Sequence, residues 1–514
     1  MLNVWVLAVF AAYFAVVIGI AIYRSRQMRN MADYVLGGRN VSSITTALSA
    51  GSSTTSGWTM LVLPALAFQH GIETMWIILS VVVMMGLAWI FMAKRLRRFT
   101  IAAKDSLTTP EFFERRFGDR TGALRTVAAL ITILFVIFYV SSGLVAGAKL
   151  LDTIFGLNYE TGVIVTLIAV ASYTFIGGFL AVSRTDVFQA VFVLAGFLIL
   201  TFTLLFITEE SFARSNVEYP NFWNPFTKHE GEPPLPVYVL SILGWGIGVF
   251  GAQRILQRFM AIESEAKISS SRNIGMTWIT ATYFFSMAVG LLALPVLIEN
   301  GVLDQIIDDP ERLYFVLTNT LFHPVVVGIL LVAVIAAVMS TADSQLLLAS
   351  AVATDDLPVI RRYSYSIGTD ARMWLGRLLL VVIGGGAALY SILHPESVLD
   401  LVVYAWGGMG AAFGPVTILA LYWRRFNFWG AMTAMITGTA ISTIWGSLSG
   451  GPYQIFDMHL ATPGFFLAFP IAIGATLLTS KPTAEVTDLF DRVTSPSAIS
   501  AEQSARQATR TGVA

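Results

Sequence analysis

The chain has no cysteine among its 514 residues. That excludes disulfides, thiolate metal sites and cysteine nucleophiles. Histidine is almost as scarce: the five present are scattered, with no HExxH or comparable spacing, so a metalloenzyme has nothing to build on. Charge is short as well. Charged residues make up 12% of the chain, about half the ~25% of a soluble domain. Formal net charge is zero, so bulk charge selects no partner; neither nucleic acid nor an obligate protein partner is expected. The alternating pattern of an outer-membrane barrel is missing. The opening MLNVWVLAVFAAYFAVVIGIAIY lacks a basic n-region and a small-residue cleavage site, and reads as a retained first span rather than a signal peptide. No catalytic constellation points to an enzyme.

What the chain has is apolar length. Hydrophobic residues reach 56% and mean hydropathy is +0.72. Stretches of roughly 18 to 25 apolar residues recur, each able to cross about 30 Å of hydrocarbon. The expectation is an all-α polytopic protein in contact with membrane lipid, multi-pass in a bacterial-type cytoplasmic membrane. Thirteen spans are predicted near 3–23, 44–68, 74–93, 126–151, 160–179, 186–207, 236–254, 274–298, 324–351, 377–394, 399–422, 428–447 and 462–479. Of 32 lysines and arginines, 28 fall on connections of one side; Arg214, Lys228 and Arg312 lie on the other, and Lys149 sits near a helix end. By the positive-inside rule the N-terminus is outside and the C-terminus inside. The outer connections 208–236 and 299–314 read as surface caps whose acids, with Glu209, Glu210 and Asp400, are solvated. The tail 481–514 reads as mobile and cytoplasmic.

Two spans are interrupted. The second contains SAGSSTTSGW (49–58) and the seventh GWGIGVFGAQ (244–253), glycines and hydroxyls where hydrocarbon demands apolar side chains. Unwinding frees backbone carbonyls, tolerable only beside a polar cavity or a ligand. Small residues also let helices pack closely, which by itself accounts for GWGIGVFG as well as a break does. The breaks lie five spans apart, an odd number, so they run oppositely across the membrane. This is the pointer to an inverted repeat, with 42–207 and 236–422 as its halves. Residues 1–41 add an N-terminal helix and loop, 208–235 form an outer loop, and 423–480 add two C-terminal helices.

Three further features concentrate near the breaks. In AAVMSTADSQLL (336–347), Ala337, Ser340, Thr341 and Ser344 share a helical face, with Asp343 at its edge. An oxygen-only set of this kind suits a hard alkali cation. Asp186 and Asp343 lie at membrane depth, where a carboxylate costs about 2.5–3.5 kcal/mol and is paired or functional; Arg184 is the neighbouring basic residue for Asp186. Trp58, Tyr139 and Trp245 are aromatics at or facing the breaks, each needing a partner for its polar atom.

These segments resemble the sodium:solute symporter family, and within it the sodium/proline symporters. The resemblance runs through DYVLGGRN (33–40), ALSAGSSTTSGW (47–58), TTPEFFERRFGD (108–119), YTFIGGFLAVSRTD (173–186), GWGIGVFGAQRILQRFMA (244–261), AAVMSTADSQLLLASAVATDDL (336–357) and YAWGGMGAAFGPV (404–416). It implies the five-plus-five inverted repeat of leucine-transporter-like proteins and sodium-driven uptake of a small zwitterionic or carboxylate solute, proline first. Another amino acid, pantothenate or a sugar acid, with sodium or protons, stays open, as does a transporter-like solute sensor. The resemblance places one sodium ion at the carbonyls of Ser52, Thr55 and Ala337 and the hydroxyls of Ser340 and Thr341. In some members a second ion lies where Asp186, Asp343 and Ser344 stand. The solute region corresponds to Ser56, Gly57, Trp58, Tyr139, Trp245 and Val249. Two positions depart from the proline symporters: Thr54 replaces the aspartate of their SDMSGW, and Val249 stands where an aromatic is expected.

Overall fold

The computed structural model describes residues 4–207, 221–227 and 236–495, and among them it is all-α. The main helices are α1 (Val4–Ser25), α2 (Ser43–Ser52), α3 (Leu63–His70), α4 (Met75–Leu87), α5 (Ala93–Ala102), α6 (Ala123–Phe155), α7 (Tyr159–Ile207) and α8 (Pro236–Gly251). They continue with α9 (Gln253–Ala261), α10 (Ile268–Glu299), α11 (Pro324–Asp356), α12 (Thr369–Leu393), α13 (Val398–Tyr422), α14 (Phe428–Gly446), α15 (Ala461–Leu478) and α16 (Ala484–Thr494). Nine helical stretches of the described residues are long and apolar enough to cross a membrane, and the bent pair α8–α9 makes a tenth.

Helix α7 runs through both segments expected as the fifth and sixth spans, with no loop between them. Its 49 residues amount to about 74 Å at about 1.5 Å per residue, more than twice the hydrocarbon thickness. Its helical course is interrupted at Gly178, whose φ of 54° and ψ of −161° leave the helical region, so two helical stretches meet there at a kink. A Cβ there would sit 2.7 Å from the Met28 sulfur. The expected inner loop is thus helical, and Asp186 is held on a rigid element.

The two broken segments lie against each other in opposite directions. Val41, before α2, forms an isolated bridge with Ile262, after α9, where the two backbones are locally parallel, and the helices then oppose each other. Further along, Ser49 meets Arg258, Ser53 meets Arg254, and Trp58 meets Trp245. Each advance along one segment is a retreat along the other. The glycines of the second break also serve close packing: a Cβ on Gly251 would lie 2.0 Å from the Met409 carbonyl oxygen, so α8 touches the backbone of α13. Both readings of GWGIGVFG therefore hold. Helix α11 is buried along almost its whole length and packs on α1, α6, α7 and α12.

Two expectations are corrected outside the core. Glu311 is not solvated. It is buried, accepts from Lys149 Nζ at 2.7 Å, and takes the Val398 and Leu399 amides that open α13, where an anion complements the helix dipole. The tail folds into the amphipathic helix α16, seating Phe490 against Phe99 at 5.6 Å; residues 496–514 lie outside the described residues. Of the 208–236 cap, including Glu209 and Glu210, only 221–227 is described. There the Phe222 carbonyl accepts the Ile72 amide, and the Pro225 carbonyl accepts Trp76 Nε1.

Candidate functional site

Helix α2 stops at Ser52 because Ser53–Ser56 unwind before a wide π-type turn over Trp58–Val62. The carbonyls released there are met by α11. Ser340 Oγ lies 3.2 Å from the Ser52 carbonyl oxygen and 3.2 Å from that of Ala337. Thr341 Oγ1 lies 3.2 Å from the Ser53 oxygen and 3.5 Å from that of Thr55. The five residues assigned to sodium by resemblance thus converge, with the Ser53 carbonyl as an addition. All donors are neutral oxygens, the chemistry a hard monovalent cation accepts. Among the described residues no group of three or more His, Cys, Asp or Glu side chains could hold a metal ion.

Deeper in the core, Asp186 and Ser344 come together around an arginine the sequence reading had left in a loop. Arg258 Nη2 donates to Ser344 Oγ at 2.5 Å and Asp186 Oδ2 at 3.3 Å, while its Nε donates to Ser49 Oγ at 3.1 Å. Ser49 Oγ in turn donates to Asp186 Oδ2 at 2.5 Å. Arg184 does not face Asp186; it is exposed, because residues two apart on a helix point to different sides. Asp343 accepts from the Tyr173 hydroxyl. One oxygen of each carboxylate, Asp186 Oδ1 and Asp343 Oδ1, has no hydrogen-bond partner among the described residues. Arg254 and Arg258 sit on the half-helix α9, both buried, so both leave the set of loop charges in which the span boundary at 254 had placed them.

A small cavity lies between the breaks, lined by Thr54, Trp58, Val81, Tyr139, Trp245, Tyr283, Val402 and Trp406. Trp58 and Trp245 rings are 5.2 Å apart, and Trp58 meets Tyr283 edge-on at 5.4 Å. Trp406 Nε1 donates to the Trp245 carbonyl at 2.7 Å, tying α13 to the second break. Of the six residues expected to meet solute, Trp58, Tyr139 and Trp245 line this space; Ser56, Gly57 and Val249 do not. Ser56 Oγ lies 3.5 Å from the Tyr139 hydroxyl. Gly57 packs on α6, where a Cβ would stand 2.7 Å from Ala146. Val249 is fully buried in α8. Val81, Tyr283, Val402 and Trp406 were missed. Their spans look like ordinary apolar helices, and only the break in the partner segment selects them.

Two antiparallel broken helices, carrying an oxygen cage and an aromatic cavity between them, define the core of a secondary transporter. The sequence profile of the Sodium:solute symporter family matches residues 34–438. The chain is 36% identical over 482 residues to the osmoregulated proline transporter OpuE of Bacillus subtilis, covering 93% of this chain and 96% of that one. It is 36% identical to the high-affinity proline transporter PutP of the same organism, covering 92% and 98%, and 36% identical to a sodium/proline symporter of Haemophilus influenzae, covering 90% and 92%. Among solved structures, it resembles a Na+-coupled sialic acid symporter in a substrate-bound outward-open state, with TM-score 0.77, 20% identity, and 94% and 100% of the two chains covered. A nucleobase-cation-symport-1 family transporter shares the fold more distantly, with TM-score 0.52, 16% identity, and 89% and 98% covered. The chain belongs to the sodium:solute symporter family, and is a multi-pass protein of the cytoplasmic membrane.

Proposed function

We propose that this protein couples sodium influx to proline uptake by alternating access. The observation that carries the reading is the convergence of Ser340 and Thr341 on the carbonyls of the first break, in a chain whose relatives at 36% identity are proline transporters. Sodium bound to the carbonyls of Ser52, Thr55 and Ala337 and the hydroxyls of Ser340 and Thr341 ties the first break to α11. It thereby favours the state in which the cavity can take solute; only such differential affinity lets an ion bias a conformational equilibrium. The proline ring stacks among Trp58, Trp245 and Tyr283.

The topology we propose has thirteen crossings, N-terminus outside and C-terminus inside, built on inverted repeats 42–207 and 236–422. Removing Arg254 and Arg258 from the loop charges leaves the basic asymmetry strongly one-sided. Sodium stoichiometry is one. At the position beside Asp186 and Ser344 the Arg258 guanidinium already supplies the positive charge. One charge moving through about 100 mV yields about 2.3 kcal/mol, and a tenfold sodium gradient adds about 1.4 kcal/mol. Together they sustain roughly several-hundred-fold accumulation.

Proteoliposomes given a sodium, potassium or proton gradient in turn test this. Labelled proline should accumulate only with sodium, carrying one charge per proline. Accumulation indifferent to sodium refutes the coupling, and failure of proline to enter refutes the substrate.

A further inference from the structure

Arg254 is a buried cation for which the described residues supply no anion. Its Nε donates to the Ser53 carbonyl at 2.7 Å and its Nη2 to the Tyr139 hydroxyl at 3.0 Å. Its Nη1 has no acceptor. Arg258, one turn further along α9, has Asp186; Arg254 has no ion pair among the described residues, and no acid lines the cavity. The guanidinium carbon stands 4.3 Å from the Tyr139 ring centre and 5.0 Å from that of Trp406, and both rings are cavity walls. Ring faces and one carbonyl offset part of the desolvation, but a buried guanidinium without a carboxylate remains costly. Arg254 thus stands behind the Tyr139 and Trp406 walls, and a donor that does line the cavity, Trp58 Nε1, also lacks an acceptor among the described residues.

We propose that Arg254 is the specificity-determining residue that receives the solute's carboxylate, so that the transported class is small carboxylates and excludes their amides and the corresponding amines. The inference rests on the solute cavity assigned above. A carboxylate has the planar two-oxygen geometry that the guanidinium fork matches, and it brings the missing charge. The cavity leaves about 20 Å³ for the centre of a water molecule, room for about one water. Solute therefore enters only as Tyr139 and Trp406 separate, and the bond from Nη2 to the Tyr139 hydroxyl is the contact that yields to the carboxylate.

The test uses sodium-loaded proteoliposomes and three competitors against labelled proline: L-proline, prolinamide and pyrrolidine. In the unsubstituted protein, proline should compete about 10- to 100-fold better than the other two, the range of a charged hydrogen bond. In Arg254→Gln the half-saturating proline concentration, read at saturating sodium, should rise by about the same factor and the preference over prolinamide collapse. Loss of uptake with the preference intact marks a purely structural tie between the breaks and overturns the proposal. If Arg254→Gln does not fold, the unsubstituted protein and Arg254→Lys decide: prolinamide competing as well as proline overturns it. If the unsubstituted protein does not transport proline, the function proposed above fails separately. Thermal stabilisation of the purified protein in sodium, by a panel of small carboxylates and their amides, then decides. Stabilisation by carboxylates alone, lost in Arg254→Gln, supports the proposal; equal stabilisation by amides, or none by any carboxylate, overturns it.

Discussion

Thr341 Oγ1 and Arg254 Nε share one acceptor, the Ser53 carbonyl, at 3.2 Å and 2.7 Å. The helix carrying the cation hydroxyls and the half-helix carrying the buried arginine therefore meet at a single peptide group of the first break. A shift of that group is felt by both elements at once.

Replacing Ser340 and Thr341 together by alanine removes two of the five proposed sodium oxygens while leaving the aromatic cavity intact. Half-saturating sodium should rise about tenfold or more, at about 1 kcal/mol per lost oxygen contact. Proline affinity at saturating sodium should change little. Sodium-titrated uptake reads this directly, and an unchanged sodium dependence would place the ion elsewhere.

Breaking the buried pair from one side should be worse than removing it. Arg258→Gln leaves Asp186 without its counter-charge, and one-sided losses of this kind cost about 3–5 kcal/mol. The double variant Asp186→Asn with Arg258→Gln should recover part of that in thermal unfolding followed by tryptophan fluorescence. A double variant as unstable as the sum of the singles would mean the two groups act independently.

His459, between α14 and α15, is packed beside Trp245 at 5.0 Å, and burial pushes its imidazole from 6.5 down to about 3. The folded protein thus leaves His459 neutral above pH about 3, whereas the unfolded chain protonates it below its ordinary value. Stability should be flat above pH ~6.5 and fall through the window down to about 3, by up to about 5 kcal/mol. His459→Gln should shrink the drop in melting temperature between pH 7.5 and 4.5. An equal drop in both proteins would show that His459 does not titrate on unfolding.

Gly251 approaches the Met409 backbone so closely that an added methyl has no side chain to push aside. Gly251→Ala should destabilise by about 1–3 kcal/mol and displace α9, lowering uptake more than the stability loss explains. Gly385, with nothing within 4 Å of a built Cβ, is the control. Gly385→Ala should be silent in both assays.

Much of the architecture is written in local sequence. Hydrocarbon tolerates few polar groups, so SAGSSTTSGW and GWGIGVFGAQ stand out against apolar runs. A helix repeats every 3.6 residues, so Ala337, Ser340, Thr341 and Ser344 declare one face before any partner is known. Apolar lengths and basic loops locate the crossings by the same local rule. What tertiary structure alone decided is which distant groups meet. Asp186 takes Arg258, 72 residues away, rather than Arg184, two residues away. Trp406 reaches Trp245 across 161 residues. Pairing across the bundle depends on helix rotation and crossing angle, and these are set by close contacts such as Gly251 on Met409, which leave no periodic trace along the chain. Arg254 shows the limit most clearly. As a letter in a sequence it is a basic residue near a span end; buried under Tyr139 and Trp406, it is a cation to which the described residues bring no anion.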